Sequence, residues 1–247
     1  MPERHVVLVL GMHRSGTSAL AGILEAAGVR LGDVRQQSPH NRAGNREHPA
    51  FQELNDAVLG FSRGAWDSVP ARIHWTRDHA LQRDCLIRTF DEARLWGFKD
   101  PRTLMTLDFW LPGLLHHDLH FIGTLRHPMA VVRSLRAREP EKDPARCMQL
   151  WLRYNQRLLA LWSEHRFPVL DFDAGAEDYR YAALAAVQGL PELADTSVDS
   201  VGFFEPSLRH QGANEDAAKG DEGDIAASDL RAALVLHSEL AAIAARG

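Results

Sequence analysis

Residues 6–18 read VVLVLGMHRSGTS, an apolar run that ends in a glycine loop and leads directly into a helical pattern. A strand, loop and helix joined in this way surround an oxyanion with backbone N–H groups and with the positive end of the helix dipole. Residues 11–16 match the spacing G-x-x-x-x-G, but Thr17 and Ser18 stand where a nucleotide triphosphatase has lysine followed by serine or threonine. Arg14 is the cation nearest the tip, so the charge that meets the anion comes from within the loop.

Strands and helices alternate along the rest of the chain. Short apolar runs predict buried strands at residues 6–10, 95–98, 120–126 and 167–172. Helical spacing predicts helices after Ser18 and from Pro128, and over 49–62, 79–93, 103–117 (interrupted near Pro112), 144–165 and 228–246. Parallel strands need crossovers, and the crossover helices cover the sheet. We therefore predict an α/β fold, a P-loop-type parallel sheet of about four to five strands with helices on both faces.

Length and charge limit the organisation of the chain and its partners. With 247 residues, 45% of them hydrophobic, the chain can bury a full core, and we expect a single domain over 1–247. A net charge of −5 gives no general attraction to nucleic acid or to anionic membranes, so we expect neither as a partner. Residues 211–224 are charged and rich in glycine, which predicts a mobile loop over 210–227.

The first residues indicate where the protein works. The apolar run before Gly11 has only five residues and no small-residue cleavage site follows it, so we expect a first strand and not a signal peptide. The two cysteines, Cys85 and Cys147, lie far apart and form no redox or metal-binding motif. These features predict a cytoplasmic protein.

A second motif follows the third predicted strand. In LRHPMAVVRS, Arg126 ends the strand and Ser134 stands eight residues later in the next helix. An arginine at a strand end and a helix serine can converge on one phosphate, the arginine through a bidentate fork and the serine as a single donor. Together with the first loop, this motif predicts a ligand that carries an anion at each end.

Both motifs resemble those of P-loop sulfotransferases. The first loop is similar to their 5′-phosphosulfate loop, P-K-S-G-T, here HRSGT at residues 13–17, and the second is similar to their 3′-phosphate motif, R-x-x-x-x-x-x-x-S. The resemblance implies a co-substrate, 3′-phosphoadenosine 5′-phosphosulfate (PAPS), a product, 3′-phosphoadenosine 5′-phosphate (PAP), and no metal. It implies that the co-substrate is bound by loop residues and by later residues of the chain, namely His13, Arg14, Ser15, Gly16, Thr17, Ser18, Arg126, Ser134 and Arg209.

The end of the second predicted strand carries Lys99, Asp100 and Arg102 in the segment GFKDPR. Strand ends of a parallel sheet face the ligand crevice, so we expect Lys99 and Asp100 near Arg14. Lys99 resembles the strand-end lysine of sulfotransferases and, with Arg14, would stabilise charge on the transferring group; Arg102 could assist. The alternative is a strand cap in which Lys99 pairs with Asp100.

The general base is less well marked, because Pro101 occupies the place of the histidine in the K-x-H motif of some sulfotransferases. A Glu-His pair at 47–48 resembles the region that supplies a glutamate base in sulfotransferases acting on polysaccharides. We therefore expect Glu47 to be the base, followed by His48 and Asp100. Alternatively, Glu47 and His48 only start the next helix, where an acid is favourable.

Other functions and sites stay open at this stage. A nucleoside or small-molecule kinase and a catalytically silent nucleotide-binding protein are the alternatives to a sulfotransferase. The acceptor would be a small molecule or a carbohydrate. The histidines at 116, 117 and 120 suggest a metal site, but no cysteine or carboxylate set is adjacent in sequence, so we expect them to be surface residues.

Overall fold

The computed structural model describes residues 3–35, 44–197 and 224–246. Its four strands, β1 (His5–Leu10), β2 (Leu95–Lys99), β3 (Asp118–Leu125) and β4 (Val169–Asp171), form a parallel sheet in the order β2-β1-β3-β4. The predicted α/β class and strand number are confirmed. The chain passes from β1 to β2 on one side and then to β3 on the other, so the sheet has its topological switch point between β1 and β3.

Helices cover both faces of this sheet, as predicted. They are α1 (Thr17–Ala26), α2 (Pro49–Phe61), α3 (Arg77–Arg88), α4 (Thr103–Trp110), α5 (Pro128–Arg138), α6 (Pro144–His165), α7 (Ala176–Gln188) and α8 (Ala227–Ala244). Val7 and Val9 of β1 pack against α1 and α7, whereas Val6, Leu8 and Leu10 face the other helices. Both faces of the strand are buried, which explains why its sequence is a continuous apolar run. None of the described helices is long and apolar enough to cross a membrane.

The helix predicted over 103–117 is interrupted near Pro112, as expected. Helix α4 ends at Trp110 and the chain tightens into a 3₁₀ turn, Leu111–Leu114, because Pro112 cannot donate a helical hydrogen bond; the predicted continuation to residue 117 is wrong. Helix α7 was not predicted. Two of its four buried residues are alanines, beside the larger Tyr179 and Val187, so its apolar stripe is weak in the sequence.

Two predictions for the last part of the chain fall wholly or partly outside the described residues. Of the mobile loop predicted over 210–227, only residues 224–227 are described, and Ala227 begins α8. Arg209 also lies outside the described residues.

An aromatic cluster fixes α2 and α4 over β2. Phe51 of α2 stacks on Phe98 of β2 at 4.2 Å between ring centroids, and Trp110 of α4 lies 5.1 Å from both rings. Because Phe51 is only two residues into α2, this stack also determines where the segment before α2 crosses the end of β2. That segment carries Glu47 and His48.

The contact between β1 and β2 is closest at Gly97. A Cβ atom at this position would collide with the carbonyl oxygen of Val7, a backbone atom that cannot rotate away. We expect Gly97→Ala to lower the free energy of unfolding by about 1–3 kcal/mol in urea titrations, through overpacking.

Gly60→Ala is the matched control. Gly60 lies in α2, and an added methyl group there meets no atom within 4 Å. Helix propensity should then raise the free energy of unfolding by about 0.5–1 kcal/mol. If Gly97→Ala is as harmless as Gly60→Ala, the close approach of β1 and β2 is wrong.

Candidate active site

The loop between β1 and α1 is tied to the neighbouring strand. Ser15 Oγ donates to the carbonyl oxygen of Met12 at 2.6 Å and lies 2.9 Å from Thr124 Oγ1 near the end of β3. A Cβ atom at Gly11 would collide with the same Thr124 hydroxyl, so β3 and the loop pack together only with glycine at this position. The hydroxyl of Ser15 is thus used to hold the loop.

Gly16 leaves the start of α1 open. It adopts a left-handed conformation (φ 92°), and a side chain there would run into the ring of Phe172. As the N-cap residue it offers no side-chain hydrogen bond, so the amides of the first turn keep their donors for an external acceptor. An anion at this point also meets the positive end of the helix dipole.

The two predicted motifs meet at Arg14. The Nε atom of Arg14 donates to Ser134 Oγ at 2.7 Å, and Nη1 of Arg126 donates to the carbonyl oxygen of Arg14 at 3.1 Å, across 112 positions of sequence. Arg126 follows directly after β3, and Ser134 lies in α5. The structure therefore brings Arg14, Arg126 and Ser134 together at the switch point of the sheet.

This region has a local excess of positive charge. Burial, and then the charges of Arg126 and Arg138, lower the pKa of Arg14. Arg14 has no carboxylate partner among the described residues, whereas Arg126 lies 3.3 Å from Asp173 and over the ring of Phe172. Guanidinium groups held close together in a partly buried place favour a bound anion, because an anion relieves their mutual repulsion.

Lys99 connects the end of β2 to the loop. Its Nζ atom donates to Glu47 Oε1 at 2.7 Å, to the carbonyl oxygen of Asn45 at 3.0 Å and to Ser18 Oγ at 3.2 Å. The Lys99 and Glu47 side chains are 2% and 9% exposed, so water screens this ion pair weakly. The predicted approach of Lys99 to the loop is observed, but its partner is Glu47 and not Asp100.

The segment before α2 provides Glu47. The amide of Arg35 donates to the carbonyl oxygen of Glu47 at 3.1 Å, and the amide of Arg46 donates to the carbonyl oxygen of Arg35 at 3.2 Å. His48 serves as the N-cap of α2, where its Nδ1 atom accepts from the amide of Ala50 at 3.2 Å. The ring of His48 packs against aromatic rings, and burial lowers its pKa.

Asp100 is held in a closed network. Its Oδ1 atom accepts from the backbone amide and from Nη1 of Arg102, and its Oδ2 atom accepts from Asn55 Nδ2 at 3.1 Å. Arg102 in turn lies 2.6 Å from Asp56. Burial raises the pKa of Asp100, and the Arg102 charge opposes this shift. These contacts make Asp100 and Arg102 organisers of the start of α4.

His13 occupies the other side of the loop tip. Its ring lies 4.5 Å from that of Trp66 and 6.1 Å from that of Tyr154. Burial, followed by the charges of Arg102 and Lys99, lowers the pKa of His13 well below 6.5. Its Nε2 atom is buried and has no hydrogen-bond partner in the part of the chain that the structure describes. A neutral imidazole thus sits beside the cations of the site.

The sequence analysis missed two contributors to the site. Asp173, just beyond β4, pairs with Arg126 and accepts from the amide of His127 at 2.7 Å. The rule that strand ends face the crevice would have indicated this residue. Asn55 is fully buried and binds Asp100, but a lone asparagine in a helix gives no sequence signal of such a role.

The low pKa of His13 generates a testable pH dependence. The unfolded chain binds a proton at this imidazole near pH 6.5, above the pH at which the native state does, so acid favours unfolding. The free energy of unfolding therefore has its full value, as far as His13 is concerned, above about pH 6.5 and decreases as the pH falls below 6.5. We expect His13→Asn to lose less free energy of unfolding than the wild type between about pH 7.5 and pH 5.5.

Urea unfolding at both pH values measures this difference. Other histidines with lowered pKa values are present in both proteins, so their effects cancel. His116→Asn is the control, because His116 is exposed and should leave the wild-type pH dependence unchanged. Equal pH dependence in His13→Asn and wild type would contradict a neutral, buried His13.

Among known proteins, similarity to this chain is found with solved structures. No protein-family model and no curated protein matches the chain. Among solved structures, the sulfotransferase domain of the Synechococcus PCC 7002 olefin synthase aligns with 98% of this chain and 96% of its own, at 17% identity and a TM-score of 0.46. Sulfotransferase STF1 from Mycobacterium tuberculosis H37Rv aligns with 89% of this chain and 76% of its own, at 15% identity and a TM-score of 0.43. Both similar structures are sulfotransferases, but at such identities and TM-scores we base no functional step on the likeness.

Proposed function

We propose that this chain is a P-loop sulfotransferase, which moves a sulfuryl group from PAPS to a hydroxyl or amine of an acceptor. The observation that carries the proposal is the meeting of the two anion motifs. Arg126 and Ser134, which come from the second motif, both bind Arg14, which belongs to the first. Two motifs that each favour an anion, placed side by side, fit a nucleotide with anions at its 5′ and 3′ positions.

The loop supplies the 5′ end of this site. The amides of Gly16, Thr17 and Ser18 and the side chain of Arg14 would bind the phosphosulfate, and Lys99 would exchange its long contact with Ser18 Oγ for a contact with the ligand. Charge builds on the 5′-phosphate as the sulfuryl group leaves, and donors already fixed in place stabilise that charge without reorganisation. The packing of Gly16 against Phe172 gives such fixed donors.

The 3′-phosphate distinguishes PAPS from adenine nucleotides that lack it. Arg126 and Ser134 would bind this phosphate, and Arg209 is proposed from the sequence as a further ligand. Asp173 keeps the guanidinium of Arg126 oriented, at 3.3 Å from Nε, and Nη1 donates one N–H to the Arg14 carbonyl; among the described contacts this leaves three of the five N–H groups available. His13 is proposed to contact the nucleotide from the other side of the loop.

The reaction needs one bond to form and one to break at sulfur. The acceptor oxygen bonds to sulfur, the bond from sulfur to the 5′-phosphate oxygen breaks, and its electron pair stays on the phosphate of PAP. The hydroxyl proton must go to a base within hydrogen-bond reach. We propose Glu47 for this role, because its carboxylate is adjacent to Lys99, where the transferring group would lie.

The two other candidates for the base are less well placed. Nδ1 of His48 already accepts a helix amide, and both carboxylate oxygens of Asp100 accept hydrogen bonds from Arg102 or Asn55. The atom that would take the proton in each of them is therefore already engaged by another donor. A small molecule or carbohydrate as acceptor, the absence of nucleic acid and membrane partners and a cytoplasmic location stay predictions from the sequence.

Binding of PAP tests the proposal directly. In calorimetric titrations we expect PAP to bind about 10-fold or more tightly than AMP or ATP, because only PAP carries the 3′-phosphate that Arg126 reads. Arg126→Ala should abolish this preference and leave AMP binding within about twofold.

Arg4→Ala is the control for the loss of one arginine. Arg4 lies just before β1, at the opposite edge of the sheet from the loop, and pairs with the exposed Asp91. Its substitution should not affect PAP binding. Equal affinity for PAP and AMP in the wild type would contradict the proposal. Magnesium-dependent preference for ATP would favour the kinase alternative.

The role of Glu47 has its own test. We expect Glu47→Gln to lower kcat for transfer of [³⁵S]sulfuryl from PAPS by about 100-fold or more, since a general base contributes this much, with PAP affinity nearly unchanged. The assay uses a panel of sugars, phenols and primary alcohols as acceptors.

His48→Asn separates the candidates for the base. It should retain kcat within about threefold, because the Oδ1 atom of asparagine takes the place of Nδ1 and can still accept at the helix start. A large loss in His48→Asn with full activity in Glu47→Gln would exclude Glu47. PAP binding without transfer to any acceptor of the panel would favour a silent nucleotide-binding protein.

A further inference from the structure

A second group of polar residues lies at the amino-terminal edge of the sheet, opposite the loop. His5 begins β1 and Asp118 begins β3, and the two are direct neighbours in the parallel register. His120 is two residues further along β3, so its side chain is on the same face of the sheet as that of Asp118. The register that aligns the carboxyl ends of these strands therefore also aligns these three residues.

The distances between their polar atoms are short. Nδ1 of His5 lies 3.3 Å from Nε2 of His120 and 3.6 Å from Oδ2 of Asp118. Glu3, just before β1, offers a carboxylate oxygen, and the ligand atoms of Glu3, His5 and Asp118 all lie within 4.8 Å of one another. Glu3, His5 and Asp118 thus form one group of possible ligands, and His120 joins it through its contact with His5.

Two of these separations are close to those of a tetrahedral metal site. Zinc binds histidine nitrogen at about 2.0–2.1 Å and carboxylate oxygen at about 2.0–2.2 Å, which puts neighbouring ligand atoms roughly 3.3–3.5 Å apart. The pairs made by His5 with His120 and with Asp118 are already close to this separation. Glu3 and Asp118 are exposed, so an ion can enter from solvent, and the side chains of Glu3 and His120 would turn toward it to complete the set.

We propose that Glu3, His5, Asp118 and His120 bind one divalent transition-metal ion of the zinc type. Imidazole and carboxylate ligands suit such an ion, whereas magnesium and calcium prefer oxygen ligands alone. The ion would join the start of β1 to the start of β3. Because the loop lies at the other end of both strands, the role is structural and independent of the proposed sulfuryl transfer.

From the sequence, the histidines at 116, 117 and 120 were expected to be surface residues without an adjacent carboxylate set. The proposed site gives His120 a different role. The strand register supplies the missing groups from a distant part of the chain. His116 is exposed, and the ring of His117 lies against Trp96 at 5.6 Å, so these two stay outside the site. A hydrogen bond between His5 and His120 without any metal is the alternative that the experiment must exclude.

Calorimetric titration of the tag-free, EDTA-treated chain with ZnCl₂ tests the site. We expect one zinc ion per chain. Asp118→Asn combined with His120→Gln should weaken zinc binding by about 100-fold or more, because two of four ligands are lost. His116→Gln is the matched control and should bind zinc as the wild type does. PAP binding should be the same with and without zinc.

Three further measurements keep the test decisive if the double variant folds poorly. Glu3→Gln, which changes only an exposed side chain before β1, should weaken zinc binding by about 10-fold. Zinc at about 100 times its Kd should raise the wild-type Tm by about 5–10 °C, and Co²⁺ should give the strong visible absorption of a tetrahedral complex. Absence of zinc binding, or equal binding by wild type, Glu3→Gln and the double variant, would overturn the proposal and leave the hydrogen-bonded histidine pair.

Discussion

The parallel pairing of β1 with β3 is the constraint on which the candidate site depends. Because both strands end at the same edge of the sheet, the loop that follows β1 meets the arginine that follows β3. The pairing is close enough that Thr124 of β3 touches the loop, which only glycine at position 11 permits. The loop would not reach Arg126 if the strands were antiparallel or separated by another strand.

The second determinant is the distribution of charge. The chain as a whole is acidic, with a net charge of −5, yet Arg14, Arg126 and Lys99 converge at one end of the sheet. Their carboxylate partners are few, and each has a defined place: Glu47 on Lys99 and Asp173 on Arg126. A local field of this kind attracts an anionic ligand to one place and not to the surface at large.

Much of this arrangement follows from the sequence, and the exceptions have physical reasons. Local patterns predicted the strand, loop and helix at 5–26 and the approach of Lys99 to the loop, because a parallel sheet places all strand ends at one edge. The partner of Lys99 was not predictable, since it depends on how the aromatic stack around Phe51 positions the segment before α2. That His5 and Asp118 are neighbours could not be predicted either, because it follows from the register between β1 and β3, which no local sequence pattern contains.

The way in which the loop is held suggests how its composition can drift during evolution. Ser15 and Gly16 are fixed by contacts with β3 and with Phe172, so a change at either position would need a compensating change in a distant strand. The side chains of His13 and Arg14 instead contact Trp66, Tyr154 and Ser134, which lie in helices and loops and not in the sheet. Changes of ligand preference at these two positions, where this chain has His-Arg, should therefore be compensated in the helices while the sheet stays the same.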